Sequence, residues 1–278
     1  MIGDAALAAL LRRDRVIVLI ALIALTALAW SDVLRLAQSM SDMASMPGMA
    51  TQPGMPNMPG MDMSSSGMMS PVFGRWSPEH FMTMFAMWTV MMIGMMTPSV
   101  APMVLIYTQV ARRSGSEPFA TAFWFAGGYL LAWAGFSLLA TLTQWGLEEL
   151  ALLSPMMAGT SHLFGGLLLI AAGIYQWLPI KYSCLARCRA PLSFIMEHGG
   201  FKAQAAGSVR LGVQHGLYCI GCCWTLMALL YVGGVMNLLW IAGLMVFVLL
   251  EKLIPGGRYL PRAAGVVAAA FGLWLLLQ

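Results

Sequence analysis

Residues 80–103 read HFMTMFAMWTVMMIGMMTPSVAPM, and this stretch decides the fold class. It contains no Asp, Glu, Lys or Arg, and it is longer than the roughly 20 apolar residues that a helix needs to cross a bilayer. Methionine, its commonest residue, is a good helix former. The stretch therefore predicts a membrane-spanning helix, which we extend to residues 80–110.

The composition of the whole chain agrees with a membrane protein. Of the 278 residues, 60% are hydrophobic and only 9% are charged, whereas a soluble domain is about 25% charged. Apolar runs predict seven spans, at residues 16–36, 80–110, 119–146, 158–179, 211–232, 235–253 and 263–278. We therefore predict an all-α integral membrane protein with about seven transmembrane helices in one bundle, surrounded by a lipid bilayer.

The distribution of charge predicts the topology. With the N-terminus in the cytoplasm, each of the 15 basic residues except Arg35 and Arg75 falls on the inner side. The positive-inside rule describes this asymmetry. The predicted location is the bacterial inner (cytoplasmic) membrane, with residues 37–79 on the periplasmic or extracellular side. No basic patch stands out, so nucleic acid is not an expected partner.

The chain divides into three predicted segments. Residues 1–36 form an N-terminal anchor helix, residues 37–79 an external Met-rich disordered loop, and residues 80–278 a six-helix membrane bundle. Cleavage of the first helix as a signal peptide is the alternative, because Ala27-Leu28-Ala29 resembles a signal-peptidase site. The apolar face continues beyond this site to Leu36, which favours an uncleaved anchor.

The external loop is rich in methionine. Pro47, Pro53, Pro56 and Pro59 argue against a regular helix, and the scarcity of large aliphatic residues, with Val72 the only one, predicts disorder. Thioethers are soft, uncharged ligands that suit Cu(I). Metal capture is therefore the interpretation we favour, and a linker that drifted into methionine is the alternative. The methionines of this loop are Met40, Met43, Met46, Met49, Met55, Met58, Met61, Met63, Met68 and Met69.

A second set of methionines lies within the predicted span 80–110. At helical spacing, one stripe holds four of them and two more lie beside it. His80 stands at the outer mouth, and Pro98 and Pro102 are expected to kink or unwind the helix. A packing face is the structural alternative, because methionine fills cores well. The candidate ligands of this span are His80, Met84, Met91, Met92, Met95 and Met96, with Met87 on the same stripe.

The span 211–232 carries the most specific pattern in the chain. His215, Cys219, Cys223 and Met227 recur every four residues, and Cys222 is adjacent. One helix face therefore presents imidazole, thiol and thioether groups, which together are ligands for a soft metal. Ordinary buried packing of cysteine is the alternative. Gly212, Gly216 and Gly221 would let a neighbouring helix approach closely.

The two sulfur-rich spans are predicted to touch. At 1.5 Å per residue, Met92, Met95 and Met96 reach a depth similar to that of the cysteines of the span 211–232. Contact between the spans would create a ladder of ligands from the outer loop to His80 and Met84, then the inner methionines, the cysteines and His215.

The remaining two cysteines, Cys184 and Cys188, occupy a predicted inner loop. The cytosol keeps thiols reduced, so a metal pair or two free thiols are more plausible there than a disulfide. Their position at the inner end of the ladder suggests a metal exit site. For Glu251 and Lys252, at the end of the span 235–253, we expect a local pair and a lysine that extends to the membrane surface; a gating role for Glu251 near His215 is the alternative.

Four segments combine into a specific pattern: Trp88–Pro102, Tyr175–Pro191, Gly207–Trp224 and Glu251-Lys252. The pattern resembles a bacterial family of predicted metal-binding integral membrane proteins, a domain of unknown function. That family includes a membrane protein associated with tyrosinase and thought to deliver its copper. The resemblance covers roughly residues 80–255, and it implies copper handling in a membrane without specifying direction or client.

The predicted function is capture of Cu(I) outside and its hand-over, along Met and Cys residues, to a cuproenzyme client or across the membrane. We expect no enzyme, and no Gly-x-x-x-x-Gly-Lys-Ser/Thr motif for nucleotide binding occurs. Three alternatives remain open. They are a channel-like copper importer, a redox or assembly factor using the cysteines, and a structural membrane subunit whose sulfur residues merely pack.

Overall fold

The protein is helical throughout the part of the chain that the structure, a computed structural model, describes. The description covers residues 4–45, 76–150, 152, 161–254 and 258–278, with side chains omitted at 4–9, 11 and 40–45. The helices are α1 Asp4–Ser45, α2 Pro78–Arg113, α3 Pro118–Glu149, α4 His162–Tyr175, α5 Pro179–Arg189, α6 Pro191–Glu197, α7 Ala205–Ala228, α8 Leu230–Gly233, α9 Leu238–Leu253 and α10 Tyr259–Leu276.

Fewer helices could cross a membrane than the sequence predicts. Five are long and apolar enough in the described residues, and the bent pair α4 and α5, which meet at 64°, could provide a sixth. The predicted span 235–253 falls short because α9 has 16 residues, or about 24 Å of helix. The Asn237 side chain accepts a hydrogen bond from the Trp240 amide, so the helix starts only after that cap.

Helix α1 is longer than the predicted anchor. It continues through residues 37–45, where we expected loop, because the first proline of that region is Pro47. The backbone at Met40 and Met43 is therefore helical. Residues 46–75, which hold the rest of the Met-rich segment, lie outside the described residues, so the loop prediction there is untested.

Helix α1 is docked on α2 by polar and apolar contacts. The Nε and Nη2 atoms of Arg112 donate to the two oxygens of the buried Asp14 carboxylate, at 2.7 and 2.8 Å. Arg15 donates to the Gln109 side chain at 3.0 Å. The Ala27-Leu28-Ala29 segment lies within this continuous helix, and Ala29 packs at Gly94 of α2. These contacts pack α1 against α2, and the uncleaved anchor stays a prediction.

Helix α3 stands between α2 and α7 and packs along both of them. Close approach to α7 depends on small residues. A Cβ at Gly212 would collide with the Phe125 carbonyl oxygen, and one at Gly216 would lie 2.6 Å from the Ala132 Cβ. Gly212 and Gly216 thus let a neighbouring helix approach, as predicted. In the described residues, α2 and α7 each pack mainly on α3, so extensive backbone contact between the spans 80–110 and 211–232 is not seen, although side chains of both belong to one core cluster.

We expect Gly212→Ala to destabilise the α3–α7 contact by about 1–3 kcal/mol, the usual range for overpacking. The new methyl group meets backbone atoms, which cannot turn aside as a side chain does. Thermal unfolding in detergent measures the effect. Gly135→Ala is the matched control, because a Cβ at Gly135 meets nothing within 4 Å. Equal melting temperatures for the two variants would contradict this account of the packing.

Candidate metal centre

All five cysteines of the chain lie on α5 and α7 and have free thiols. The Cys188 thiol interacts with the thiols of Cys219 and Cys222, and Cys219 also interacts with Cys223. Cys219, Cys222 and Cys223 share a face of α7 because they are three and four residues apart. The Cys188 side chain therefore lies near the cysteines of α7, a proximity that the sequence did not predict.

Cys184 lies one helical turn before Cys188, at the edge of this cluster. Its sulfur faces Gly221, where an added Cβ would lie 2.9 Å from the Cys184 Sγ. Gly221 thus gives room to a cysteine side chain on α5. The predicted separate inner pair of cysteines is in fact next to the α7 thiols, and its segment is helix rather than loop.

A buried polar network holds α5 in this position. The Lys181 ammonium is fully buried and donates to both Glu251 carboxylate oxygens at 2.8 Å, and it also donates to the Gln176 side chain. Arg189 donates to the Glu251 carbonyl oxygen at 2.8 Å. Both ends of α5 are thereby tied to α9. The predicted local pairing of Glu251 is wrong, since its partner is distant in the sequence.

A second group of polar side chains meets Cys219 from the other side. The Lys252 Nζ lies 2.8 Å from the Cys219 Sγ and donates to the Ser99 hydroxyl at 2.8 Å. The Tyr129 hydroxyl lies 3.1 Å from the same sulfur and donates to the Met96 carbonyl oxygen at 3.3 Å. Lys252 therefore turns inward to the thiols and does not extend to the membrane surface as expected. Cys219, on α7, therefore contacts Tyr129 of α3 and Lys252 of α9, and these two side chains in turn bond to Met96 and Ser99 of α2.

The methionine stripe of α2 is buried in the same core. Two non-covalent contacts lie near the ends of this stripe. The Lys252 ammonium contacts both Ser99 and Cys219, and the Trp88 ring centroid lies 5.4 Å from that of Tyr231. The residues between these contacts on α2 and α7 belong to one hydrophobic cluster, and include Met91, Met92, Met95, Met96, Cys222, Cys223 and Met227. Helix α2 remains helical through Pro98 and Pro102, so the predicted local unwinding does not occur.

The outer end of the stripe finishes in a hydrogen-bonded network. The Gln144 amide donates to the Met84 sulfur at 3.8 Å and to Glu148 at 2.8 Å, and it accepts from the Trp88 indole at 2.7 Å. The Trp76 indole donates to Glu148 at 2.9 Å, and its ring lies 4.8 Å from the His80 ring. His80 and Met84, one turn apart on α2, both adjoin this network, and their role as metal ligands stays a prediction.

His215 is buried among aromatic rings at the other end. Its ring centroid lies 5.0 Å from that of Phe194 and 6.0 Å from those of Phe125 and Tyr129. The Nδ1 atom has no hydrogen-bond partner in the described part of the chain. His215 is one turn from Cys219 on α7, and its role as a metal ligand stays a prediction.

The donor types fit Cu(I), although the thiols are not yet arranged around one ion. Within residues 4–45, 76–150, 152, 161–254 and 258–278, no group of three or more His, Cys, Asp or Glu side chains is placed to hold a metal. In the present arrangement, the Cys222 and Cys223 thiols both donate to the Cys219 carbonyl oxygen at 3.0 Å. Rotation of these side chains would free the sulfurs, which are soft ligands suited to Cu(I).

Comparison with known proteins identifies the family. The PpoB2 family, described as copper chaperone, matches residues 85–275. The chain belongs to this copper chaperone family. No curated protein and no solved structure matches it.

Membership in the copper chaperone family confirms the predicted resemblance and supports a copper-related role. The matched residues include all five cysteines, the methionines from Met87 to Met103 and Lys252. Residues 46–75 and His80 lie outside the match. A family of chaperones also agrees with the prediction that the chain is not an enzyme.

Three residues of this site escaped the sequence analysis, namely Ser99, Tyr129 and the inward-facing Lys252. A hint existed for Ser99, which stands between Pro98 and Pro102, and for Lys252, which follows a long apolar run. Nothing in the sequence distinguishes Tyr129 from other aromatic residues in an apolar helix.

Proposed function

We propose that this protein is an integral membrane copper chaperone that binds Cu(I) as cargo at the thiols of α5 and α7. The observation that carries the proposal is the interaction of the Cys188 side chain on α5 with Cys219 and Cys222 on α7, where Cys223 lies on the same helix face. Thiolate sulfur favours Cu(I), and a set of thiols with nearby thioethers is a soft-metal ligand set. Membership in the copper chaperone family supports copper as the cargo.

The location we propose is the bacterial inner membrane, and both the helices and the distribution of charge support it. Five or six helices are long and apolar enough to cross a bilayer, and large apolar side chains such as Phe123, Leu131 and Val267 are exposed on them. Exposed apolar surface of this kind suits contact with lipid tails. The positive-inside rule places the N-terminus in the cytoplasm and residues 46–75 on the outer side.

The proposed route runs from the outer Met-rich segment to His80 and Met84, then along the buried methionines, and ends at the thiols. Burial of Met84, Met91 and Met96 in the core supports this path, as do the contacts of Tyr129 with both the Met96 carbonyl and Cys219. Uncharged thioethers avoid the cost of bringing charged ligands into an apolar environment. The destination is a cuproenzyme client or the other side of the membrane.

Copper binding to purified protein tests the proposal. Competition with a chromophoric Cu(I) chelator would compare wild type, a deletion of residues 46–70, and the triple variant Cys219→Ser/Cys222→Ser/Cys223→Ser. We expect wild type to bind tightly, the triple variant to lose the tight site, and the deletion to lose only weaker ions. If wild type binds no Cu(I) above background, the sulfur residues serve packing and the protein is a structural subunit.

A channel-like importer is the second candidate, favoured by the continuous burial of the methionine stripe between the outer network and the thiols. Proteoliposomes separate the two functions. Accumulation of copper inside the vesicles supports the importer, whereas transfer of bound copper to an apo-cuproenzyme without accumulation supports the chaperone.

A further inference from the structure

We propose that Lys252 is a built-in competitor of Cu(I) for the Cys219 sulfur, and that it restricts the thiol site to monovalent metal ions. The inference deepens the proposed function and depends on it. In the metal-free protein, the Lys252 ammonium group occupies the position beside the Cys219 sulfur that the metal ion takes when it binds.

The contacts of Lys252 are unusual for a lysine. Its Nζ lies 2.8 Å from the Cys219 Sγ and 2.8 Å from the Ser99 Oγ. Among the described residues, no carboxylate forms a salt bridge with it. The chain has two other lysines: Lys181 pairs with Glu251, and Lys202 is exposed. Lys252 is thus the lysine whose charge is directed at a thiol cluster.

The neighbouring residue keeps Lys252 in this position. Glu251 is held through its carboxylate by Lys181 and through its carbonyl by Arg189. The end of α9 is therefore tied to α5 on one side, and the next side chain projects towards Cys219 and Ser99. The packing of α9 on α5 thus directs the Lys252 side chain inward. Without this constraint, a lysine side chain is long enough to reach the membrane surface.

The charge of the ammonium group determines what can replace it. On loading, the metal ion takes the place of the ammonium at the Cys219 sulfur, the ammonium keeps its hydrogen bond to Ser99, and a monovalent ion adds one positive charge beside it. A divalent ion adds a second charge beside the displaced ammonium, and like charges repel strongly where little water screens them. On loading, each liganding thiol forms a metal–sulfur bond and loses its proton to solvent, and no electron is transferred.

The test compares Lys252→Leu and Lys252→Arg with wild-type protein in detergent, using Cu(I), Ag(I) and Zn²⁺ as probes. Charged hydrogen bonds have free energies that correspond to about ten- to a hundredfold in an equilibrium constant. We therefore expect Lys252→Leu to lower the Kd for Cu(I) and Ag(I) by that factor, and to lower the Kd for Zn²⁺ by a larger one. Release of Cu(I) to a chelator should slow accordingly, and Lys252→Arg should behave like wild type.

Lys202→Gln is the control, because it removes an exposed lysine and should leave all three affinities unchanged. If the elution of Lys252→Leu differs from that of the wild-type protein and so indicates misfolding, Lys252→Gln replaces it in the test. The amide of this variant can still reach Ser99. An unchanged or weaker Cu(I) affinity in the neutral variant, or an equal gain for Zn²⁺ and Cu(I), would overturn the inference. Failure of wild type to bind Cu(I) is a separate result that refutes the proposed function.

Discussion

Replacing Cys188 with serine is expected to weaken Cu(I) binding at least about a hundredfold, the same class of effect as Cys219→Ser. Loss of a residue that merely orients a metal ligand already costs about 10- to 100-fold in affinity, and a ligand itself should cost no less. The reason lies in the interaction of the Cys188 thiol with those of Cys219 and Cys222. Cys188 belongs to the main site in this account, rather than to a separate exit site.

Cys184→Ser provides the matched control for this prediction. It changes the same residue type on the same helix, but its sulfur faces Gly221 at the edge of the cluster. We expect a loss of no more than about tenfold. Chelator competition gives the affinities, and X-ray absorption spectroscopy of the copper-loaded protein counts the sulfur neighbours. Equal losses for both variants, or an unchanged sulfur count in Cys188→Ser, would contradict the arrangement.

Replacing Lys181 with methionine is expected to lower the free energy of unfolding by about 3–5 kcal/mol, because it leaves the buried Glu251 carboxylate without its partner. Both side chains are almost completely inaccessible, at 0% and 1% exposure. Chemical unfolding in detergent micelles measures the loss. We also expect weaker Cu(I) binding, because the pair holds α5 where Cys188 meets the α7 thiols.

Two further variants distinguish this buried pair from ordinary surface charge. The double variant Lys181→Met/Glu251→Leu removes both charges and should recover much of the lost stability. Glu197→Gln breaks the exposed Arg187–Glu197 pair, whose ions are 3.5 Å apart, and should cost no more than about 1 kcal/mol. A loss in Lys181→Met no larger than that of Glu197→Gln would show that the buried pair does not stabilise the fold.

Local patterns predicted the helices better than they predicted the number of spans. Apolar runs located α2, α3 and α7 because hydrophobicity and length are properties of a continuous stretch. The same reasoning overestimated the last part of the bundle, where Gly234 has a positive φ of 90° and Asn237 caps α9. The predicted break at residues 233–234 is present, but the apolar run does not reveal that α9 begins only after Asn237 and is therefore short.

The predictions of metal ligands divide in the same way, between those that local spacing can make and those that depend on the tertiary structure. Helical spacing correctly placed Cys219, Cys222 and Cys223 on one buried face and the methionines of α2 in the core. Spacing could not bring Cys188 to them, because that contact depends on the bend between α4 and α5. The metal-binding roles of all these residues stay predictions until copper binding is measured.

The sequence by itself determined the helical class, the apolar helices, the sulfur-rich faces and the family, because each is encoded in composition, short spacings or a continuous pattern. The tertiary structure alone decided that Lys181 pairs with Glu251, that Cys188 joins the α7 thiols, and that Lys252 turns towards Cys219. These contacts join residues from helices far apart in the chain. Their geometry arises from how the helices pack, which no local period specifies.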